Sequence, residues 1–216
     1  MKYSVYIFIF LAAFSSPAQN YYSTSSMKFF ETGLANDTAK LESLNMELLQ
    51  AAIFHATNLE RPKKRQFKYG KNLEKGASFH STEMEVKGFF SHTNRKNKKY
   101  KTPFHRAKKF NAKYAVVGEN ILEEIALDYI DNSLYDSELE NGVYVFYHHK
   151  NGEIVRELTY EELAVKMVDS WMKSPGHKAN ILSKAYTHLG VGVAIKKNPY
   201  ATDDLPRVFA TQLFGG

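Results

Sequence analysis

The sequence predicts an α+β fold in which helices pack against an antiparallel or mixed sheet. In four segments the apolar residues recur every three or four positions, the period of an amphipathic helix. Two β-rich runs, Leu189 to Ile195 and Val208 to Phe214, follow near the C-terminus. With 216 residues, 44% of them apolar, the chain is long enough to bury a sizeable core.

The N-terminus has the pattern of an export signal. Lys2 precedes a 12-residue apolar run, Tyr3 to Phe14, and Ser16-Pro17-Ala18 supplies small residues for cleavage. The run is shorter than the roughly 20 residues that a transmembrane helix needs. We therefore predict a signal peptide over residues 1–18 and a secreted protein, either extracellular or periplasmic. A buried N-terminal helix or an uncleaved anchor is the alternative. Residues 19–38 are polar and aperiodic and predict a mobile leader.

Three helices are expected before residue 111. The first covers the stripe from Leu41 to Leu59 and ends before Pro62. The second carries Leu73, Ala77, His80 and Met84 on one face and ends at Gly88, which puts His80 among core residues. The third opens on an N-cap pair, Thr102-Pro103. Its inward residues are Phe104, Ala107 and Phe110.

A turn, a hairpin and a fourth helix follow. Gly118 to Ile121 is interpreted as a tight turn. Asn151-Gly152 is a strong type I′ signal and predicts a hairpin between Val143–Tyr147 and Ile154–Arg156. Thr159 and Glu162 form a capping box for the last long helix. Its buried stripe is Ala164, Met167, Val168 and Trp171.

The chain has no cysteine, which excludes disulfides, thiolate metal sites and thiol nucleophiles. Charge is unevenly spread: residues 61–113 hold 17 Lys or Arg and three Glu, whereas residues 118–140 hold eight Asp or Glu and no Lys or Arg. The basic run predicts either a surface for an anionic polymer or solvated loops neutralised by the acidic stretch. Nucleic acid is not expected as a partner, because the chain is predicted to be exported and lacks zinc-finger and RNA-recognition signatures.

Several short motifs follow one another in a characteristic order. They are Phe79-His80-Ser81, Gly88-Phe89-Phe90-Ser91-His92, Pro103 with Arg106, Gly118-Glu119-Asn120-Ile121, Trp171 to Leu182 with Ser174-Pro175-Gly176-His177 inside it, Gly190-Val191-Gly192-Val193, and Ala210 to Gly215. In this order they closely resemble the CAP superfamily (cysteine-rich secretory proteins, antigen 5 and pathogenesis-related proteins) in its cysteine-free bacterial form. The resemblance runs from about Leu41 to Gly216.

The resemblance implies a three-layer α-β-α sandwich with a mainly antiparallel central sheet, over residues 39–216, with an insertion at about 127–158. The insertion is interpreted as a lid on the cleft or a docking arm for a partner. The resemblance also implies a surface cleft containing His80, Glu119 and His177. Many members have a second Glu where this chain has His92, so a mechanism that needs two carboxylates is not expected here.

The chemistry of these residues leaves two interpretations open. Imidazoles beside a carboxylate can bind zinc or another divalent metal, with His80 and His177 as the main ligands and His92 and Glu119 as partners. Without a metal, a His beside a Glu can act as a general base. The leading prediction is a binding or interaction module for a divalent metal or a small polar or lipid ligand. The alternatives are a metal- or His/Glu-assisted extracellular hydrolase, with His80, Glu119 and His177 as catalytic candidates, and a polyanion-binding protein that uses residues 61–113.

Overall fold

The computed structural model describes residues 21–130 and 133–216. The predicted signal peptide, residues 1–18, lies outside the described residues. The described helices are α1 (Ser26–Glu31), α2 (Met46–Leu59), α3 (Lys71–Lys87), α4 (Pro103–Lys109), α5 (Tyr160–Lys173) and α6 (Pro175–Leu182). The strands are β1 (Lys68–Tyr69), β2 (Val117–Ile125), β3 (Tyr135–Glu140), β4 (Val143–His148), β5 (His188–Ile195) and β6 (Arg207–Gly215). Short 3₁₀ turns lie at Leu34–Asn36, Leu41–Ser43, Lys63–Arg65 and Lys98–Tyr100.

The central sheet of the described chain has the strand order β1-β5-β6-β2. β5 and β2 both pair antiparallel with β6, and the short β1 pairs parallel with β5. Helices α3 and α4 cover one face, and α2, α5 and α6 cover the other. Separate apolar clusters fill the two helix-sheet interfaces. The predicted α+β class and the three-layer sandwich are confirmed.

Alternation along β5 explains how α3 packs so closely on the sheet. Leu189, Val191 and Val193 point into the larger apolar cluster. Gly190 and Gly192 point the other way, where a Cβ would lie 2.0 Å from a backbone nitrogen of α3 at each position. Only glycine lets the helix backbone approach this near.

The capping signals locate most helix ends correctly. Thr102 caps α4, the Thr159–Glu162 capping box opens α5, and Gly88 closes α3 with a φ of 58°. α2 begins at Met46 rather than at Leu41, because the Asn45 side chain accepts a hydrogen bond from the Leu48 amide. One inward prediction is wrong for α4, since Phe104 is 51% exposed.

The described part of the predicted mobile leader, residues 21–38, is folded onto the domain. Phe29 of α1 is buried and stacks on His55 with ring centroids 4.3 Å apart. The two ring nitrogens of His55 lie 3.0 Å from Ser26 Oγ and 2.9 Å from the Tyr21 carbonyl oxygen. The expectation of an unstructured leader is therefore corrected for these residues. The segment is mostly polar in composition, so the burial of its few aromatic residues becomes evident only in the tertiary structure.

The chain turns back at Asn151-Gly152 as predicted, but a longer hairpin that the sequence analysis missed precedes this turn. β3 and β4 are joined at Asn141-Gly142, where both residues have positive φ, 50° and 88°. Gly152 turns the chain with a φ of 69°, and residues 153–155 then pair with β4 through an antiparallel bridge between Tyr147 and Ile154. Two backbone hydrogen bonds flank this bridge: His148 donates to the Glu153 carbonyl oxygen and Val155 donates to the Phe146 carbonyl oxygen, both at 2.8 Å. Two Asn-Gly pairs stand ten residues apart, and local sequence does not rank them.

The hairpin lies at the far end of the sheet from Glu119. Tyr135 of β3 shares the wall of a cavity of about 450 Å³ with Ile125 and Arg207. Ile125 is six positions from Glu119 along β2, which is about 20 Å at the rise of a strand. The interpretation of this segment as a lid over Glu119 is therefore dropped.

No helix among the described residues is long and apolar enough to cross a membrane.

Candidate functional site

Glu119 lies in β2, at the edge of the sheet, opposite Leu213 of β6. The expected tight turn at Gly118–Ile121 is thus a strand, because these residues pair along β6. Neighbouring side chains of a strand point to opposite faces. Glu119 points toward α3 and α4, whereas Asn120 meets α6 on the other face.

A buried ion pair forms the floor of the site. The Arg106 guanidinium of α4 donates to Glu119 Oε2, and the two side chains are 0% and 1% exposed. Arg106 also donates to the carbonyl oxygens of His92, Tyr100 and Lys101 at 3.0 to 3.3 Å. Burial lowers the pKa of Arg106, and the negative charge of Glu119 opposes that change. Arg106 therefore stabilises both the carboxylate and the loop that leads to the site.

The sequence analysis quoted Arg106 within a motif but gave it no role. A signal was present, because Arg106 directly precedes the inward Ala107 and stands one turn before Phe110. An arginine on the buried face of a helix needs a counter-charge. Only the fold shows that this partner is Glu119.

His92 is the exposed imidazole of the site. Its Nδ1 lies 2.9 Å from Glu119 Oε1, and its side chain is 50% exposed. Because a carboxylate accepts the hydrogen bond, Nδ1 carries the proton and the neutral ring keeps its lone pair on Nε2. This nitrogen has no hydrogen-bond partner in the described structure.

His80 lies beneath the site and is fully buried. Its Nε2 is 3.1 Å from the Ser91 carbonyl oxygen and 3.8 Å from Glu119 Oε1, while its Nδ1 is buried without a partner among the described residues. Burial lowers the pKa of His80 to about 4, against the smaller opposing effect of Glu119. The ring is therefore neutral near pH 7 and supports the residue that precedes His92.

His177 lies in the first turn of α6, which Pro175 starts. Its carbonyl oxygen accepts a hydrogen bond from Asn120 Nδ2 at 3.1 Å. Asn180 of the same helix donates to the Glu119 carbonyl oxygen at 3.2 Å and to Asn120 Oδ1 at 2.9 Å. Helix α6 is thus fastened to the outer edge of β2. Burial lowers the pKa of the His177 imidazole, and the charge of His92, when that ring is protonated, lowers it further.

The fold therefore brings the four predicted residues around one short piece of β2. His80 and His92 contact Glu119 directly, and α6 brings His177 alongside through Asn120 and Asn180. Both carboxylate oxygens of Glu119 are already engaged, one by Arg106 and one by His92. In the described ranges, no group of three or more His, Cys, Asp or Glu side chains is arranged to hold a metal ion.

The donor set thus fits a cation only in part. Each oxygen of Glu119 already accepts a hydrogen bond, which makes it a weaker metal ligand, and His80 directs Nε2 to a backbone carbonyl. His92 and His177 remain as imidazoles with access to solvent. The cluster can also move protons, since a carboxylate-oriented imidazole with an open Nε2 is the geometry of a general base.

A family model for the cysteine-rich secretory protein family, CAP, matches residues 54–214. This chain belongs to the CAP family. Over 142 residues it is 28% identical to the uncharacterised protein YkwD of Bacillus subtilis (strain 168). That match covers 65% of this chain and 40% of the relative, so the chain spans less than half of the relative's length.

Two solved structures have a similar backbone. One is an extracellular protein containing an SCP domain from Bacillus anthracis str. Ames, with a TM-score of 0.48 and 20% identity over 79% of this chain and 41% of that one. The other is an outer surface protein of Borrelia burgdorferi, with a TM-score of 0.43 and 17% identity over 78% of this chain and 92% of that one.

Proposed function

We propose that this CAP domain is a secreted binding module that takes a divalent cation of the zinc class between His92 and His177. One observation carries the proposal: Glu119 Oε1 accepts a hydrogen bond from His92 Nδ1 at 2.9 Å, which leaves the Nε2 lone pair available on a half-exposed side chain. A carboxylate behind an imidazole fixes its tautomer and raises its basicity as a metal ligand. Arg106 holds Glu119 in that position from below.

His177 supplies the second nitrogen. Its lowered pKa keeps the ring neutral near pH 7, and only a neutral imidazole can bind a metal. Two protein ligands leave positions open on a tetrahedral ion. Water or an oxygen donor of a small polar ligand would complete the coordination. The module would therefore bind such a ligand through the metal, with His80 supporting the loop and not serving as a ligand.

Secretion is part of the proposal and rests on the N-terminal charge, apolar run and small-residue pattern. Expression of the full chain with recovery of the exported protein tests it directly. N-terminal sequencing should find Gln19 as the first residue. Retention of Met1 or Lys2 on an exported product would contradict a cleaved signal.

Isothermal titration of the exported protein with zinc chloride tests the cation site. We expect one saturable site that His92→Ala and His177→Ala each abolish. His149→Ala is the matched control, because His149 is also an exposed histidine that pairs with a carboxylate, Asp136, but lies in the hairpin region. Unchanged binding in both cleft variants, or equal loss in the control, would reject the assignment.

The same dyad supports a second candidate, a hydrolase in which His92 acts as a general base toward water. The supporting observation is again the Glu119 contact, which orients the ring for proton transfer. Turnover of a peptide and ester library should then be lost in His92→Gln, a surface change that leaves Arg106 paired. Absence of turnover in the parent protein across pH and added metals would eliminate this candidate.

A further inference from the structure

The surface beside the cleft carries a dense block of positive charge. Residues 88–118 contain no Asp or Glu. Seven cations within residues 95–109, here called the cationic segment, are exposed: Arg95, Lys96, Lys98, Lys99, Lys101, Lys108 and Lys109. The eighth, Arg106, is the buried partner of Glu119.

In the described part of the acidic stretch, residues 118–130 and 133–140, no carboxylate is paired with this exposed block. Glu119 pairs with the buried Arg106, and the other paired carboxylates of that stretch contact cations outside the cationic segment. Those pairs are Glu123 with Arg207, Glu124 with Lys166, Asp128 with Arg156, and Asp136 with His149. Within the described residues, the seven exposed cations enter no ion pair. Their charge faces solvent uncompensated.

The backbone that carries these cations is held in place. Asn94 is fully buried. Its backbone N–H donates to the Lys101 carbonyl oxygen at 2.8 Å, and its side-chain Nδ2 donates to Glu83 Oε2 at 3.0 Å. Arg106 closes the other side of the loop through the carbonyls of Tyr100 and Lys101. An ordered loop loses less conformational entropy when a partner binds.

We propose that the cationic segment binds an extended anionic polymer that carries repeated phosphate, sulfate or carboxylate groups. A linear polyanion can contact charges that follow one another along an ordered stretch of chain and releases counterions when it does so. A bilayer is the poorer fit, because surface-bound helices need a broad apolar face. α4 has seven residues and exposes one large apolar side chain, Phe104. The proposal does not depend on a metal in the cleft.

Dextran sulfate is the probe, and uncharged dextran of the same length is its control. Binding to the exported protein is titrated between 50 and 300 mM NaCl, concentrations chosen to cover about a twofold range of Debye length. The test variant is Lys98→Gln/Lys99→Gln/Lys101→Gln. The matched control is Lys150→Gln/Lys196→Gln/Lys197→Gln, which removes the same charge from exposed lysines outside the segment.

We expect binding to dextran sulfate that weakens steeply with salt, and no binding to dextran. The segment variant should lose about tenfold or more in affinity and about two units of the log-log salt slope, since each contact contributes slightly less than one unit. The control variant should lose less than about threefold, through long-range charge alone.

Equal losses in the two triple variants would overturn the proposal, because net charge and not this surface would then govern binding. Salt-insensitive binding would overturn it as well. Binding to phosphatidylglycerol vesicles without binding to dextran sulfate would assign the surface to a membrane instead. Zinc binding measured on the segment variant keeps this result separate from the cleft site, since His92 and His177 are unchanged.

Discussion

Glu119→Gln is the change that best tests the construction of the site. Glu119 and Arg106 are both buried, so the variant leaves a guanidinium in the interior without its counter-charge. Removing one partner of a buried pair costs about 3–5 kcal/mol of unfolding free energy. Arg106 keeps three backbone carbonyl acceptors, which still solvate its charge in part. We therefore expect the lower end of that range, about 3 kcal/mol.

Urea unfolding followed by fluorescence measures this loss, because the single tryptophan, Trp171, is fully buried and reports the core. The double variant Arg106→Met/Glu119→Gln should recover part of the loss by removing the stranded charge. Glu123→Gln, on the same strand, is the control. Its partner Arg207 is 3.9 Å away and half-exposed, so it should cost less than about 1 kcal/mol. A loss below about 1 kcal/mol for Glu119→Gln, or a double variant that adds the two single losses, would refute the reasoning.

Three further outcomes are expected from the same unfolding measurements. Burial lowers the pKa of His80 to about 4, so between pH 6.5 and 4 only the unfolded chain takes up a proton at this residue, and the free energy of unfolding should fall by up to about 3 kcal/mol as the pH drops through that window. His80→Gln should flatten this pH dependence, and parallel curves for the variant and the parent protein would contradict the argument. Gly192→Ala should lower the free energy of unfolding by more than about 3 kcal/mol, because the new Cβ would lie 2.0 Å from the Ser78 nitrogen of α3. The control Gly176→Ala, where a Cβ would have no atom within 4 Å, should change it by no more than about 0.5 kcal/mol, and similar losses in the two variants would refute the close-packing argument. Phe29→Ala should cost about 3–5 kcal/mol, a loss that an unstructured leader would not produce.

Helix boundaries were predictable where a local signal exists. Thr102, Thr159 with Glu162, and Gly88 act through hydrogen bonds or backbone angles within a few residues. The two long strands near the C-terminus were also located, since their β-rich runs are uninterrupted. The turn at Asn151-Gly152 was predicted, but the longer hairpin at Asn141-Gly142 was missed, although the two pairs carry the same turn signal. Which turn joins two full strands depends on the cross-strand pairs that form.

The site residues were found by motif order, but their surroundings were not. Glu119 was expected in a turn and lies in a strand, because β6 offers it a pairing partner 94 positions later, Leu213. Arg106 was passed over because its counter-charge is distant from its own helix in sequence. Each difference comes from a contact between elements.

The sequence by itself determined the α+β class, the helix caps, the absence of thiol chemistry and the set of His and Glu residues that converge. The class, the caps and the absence of thiol chemistry follow from composition, period and short-range hydrogen bonding, whereas the set of His and Glu residues follows from the resemblance of the motif order to the CAP superfamily. Only the tertiary structure decided that His92 contacts Glu119 through Nδ1 and that Arg106 is the buried counter-charge of Glu119. It also decided that seven lysines and arginines keep their charge open to solvent. Burial and pairing are properties of neighbours in space, and these neighbours lie on separate elements that meet only when β2 joins the sheet.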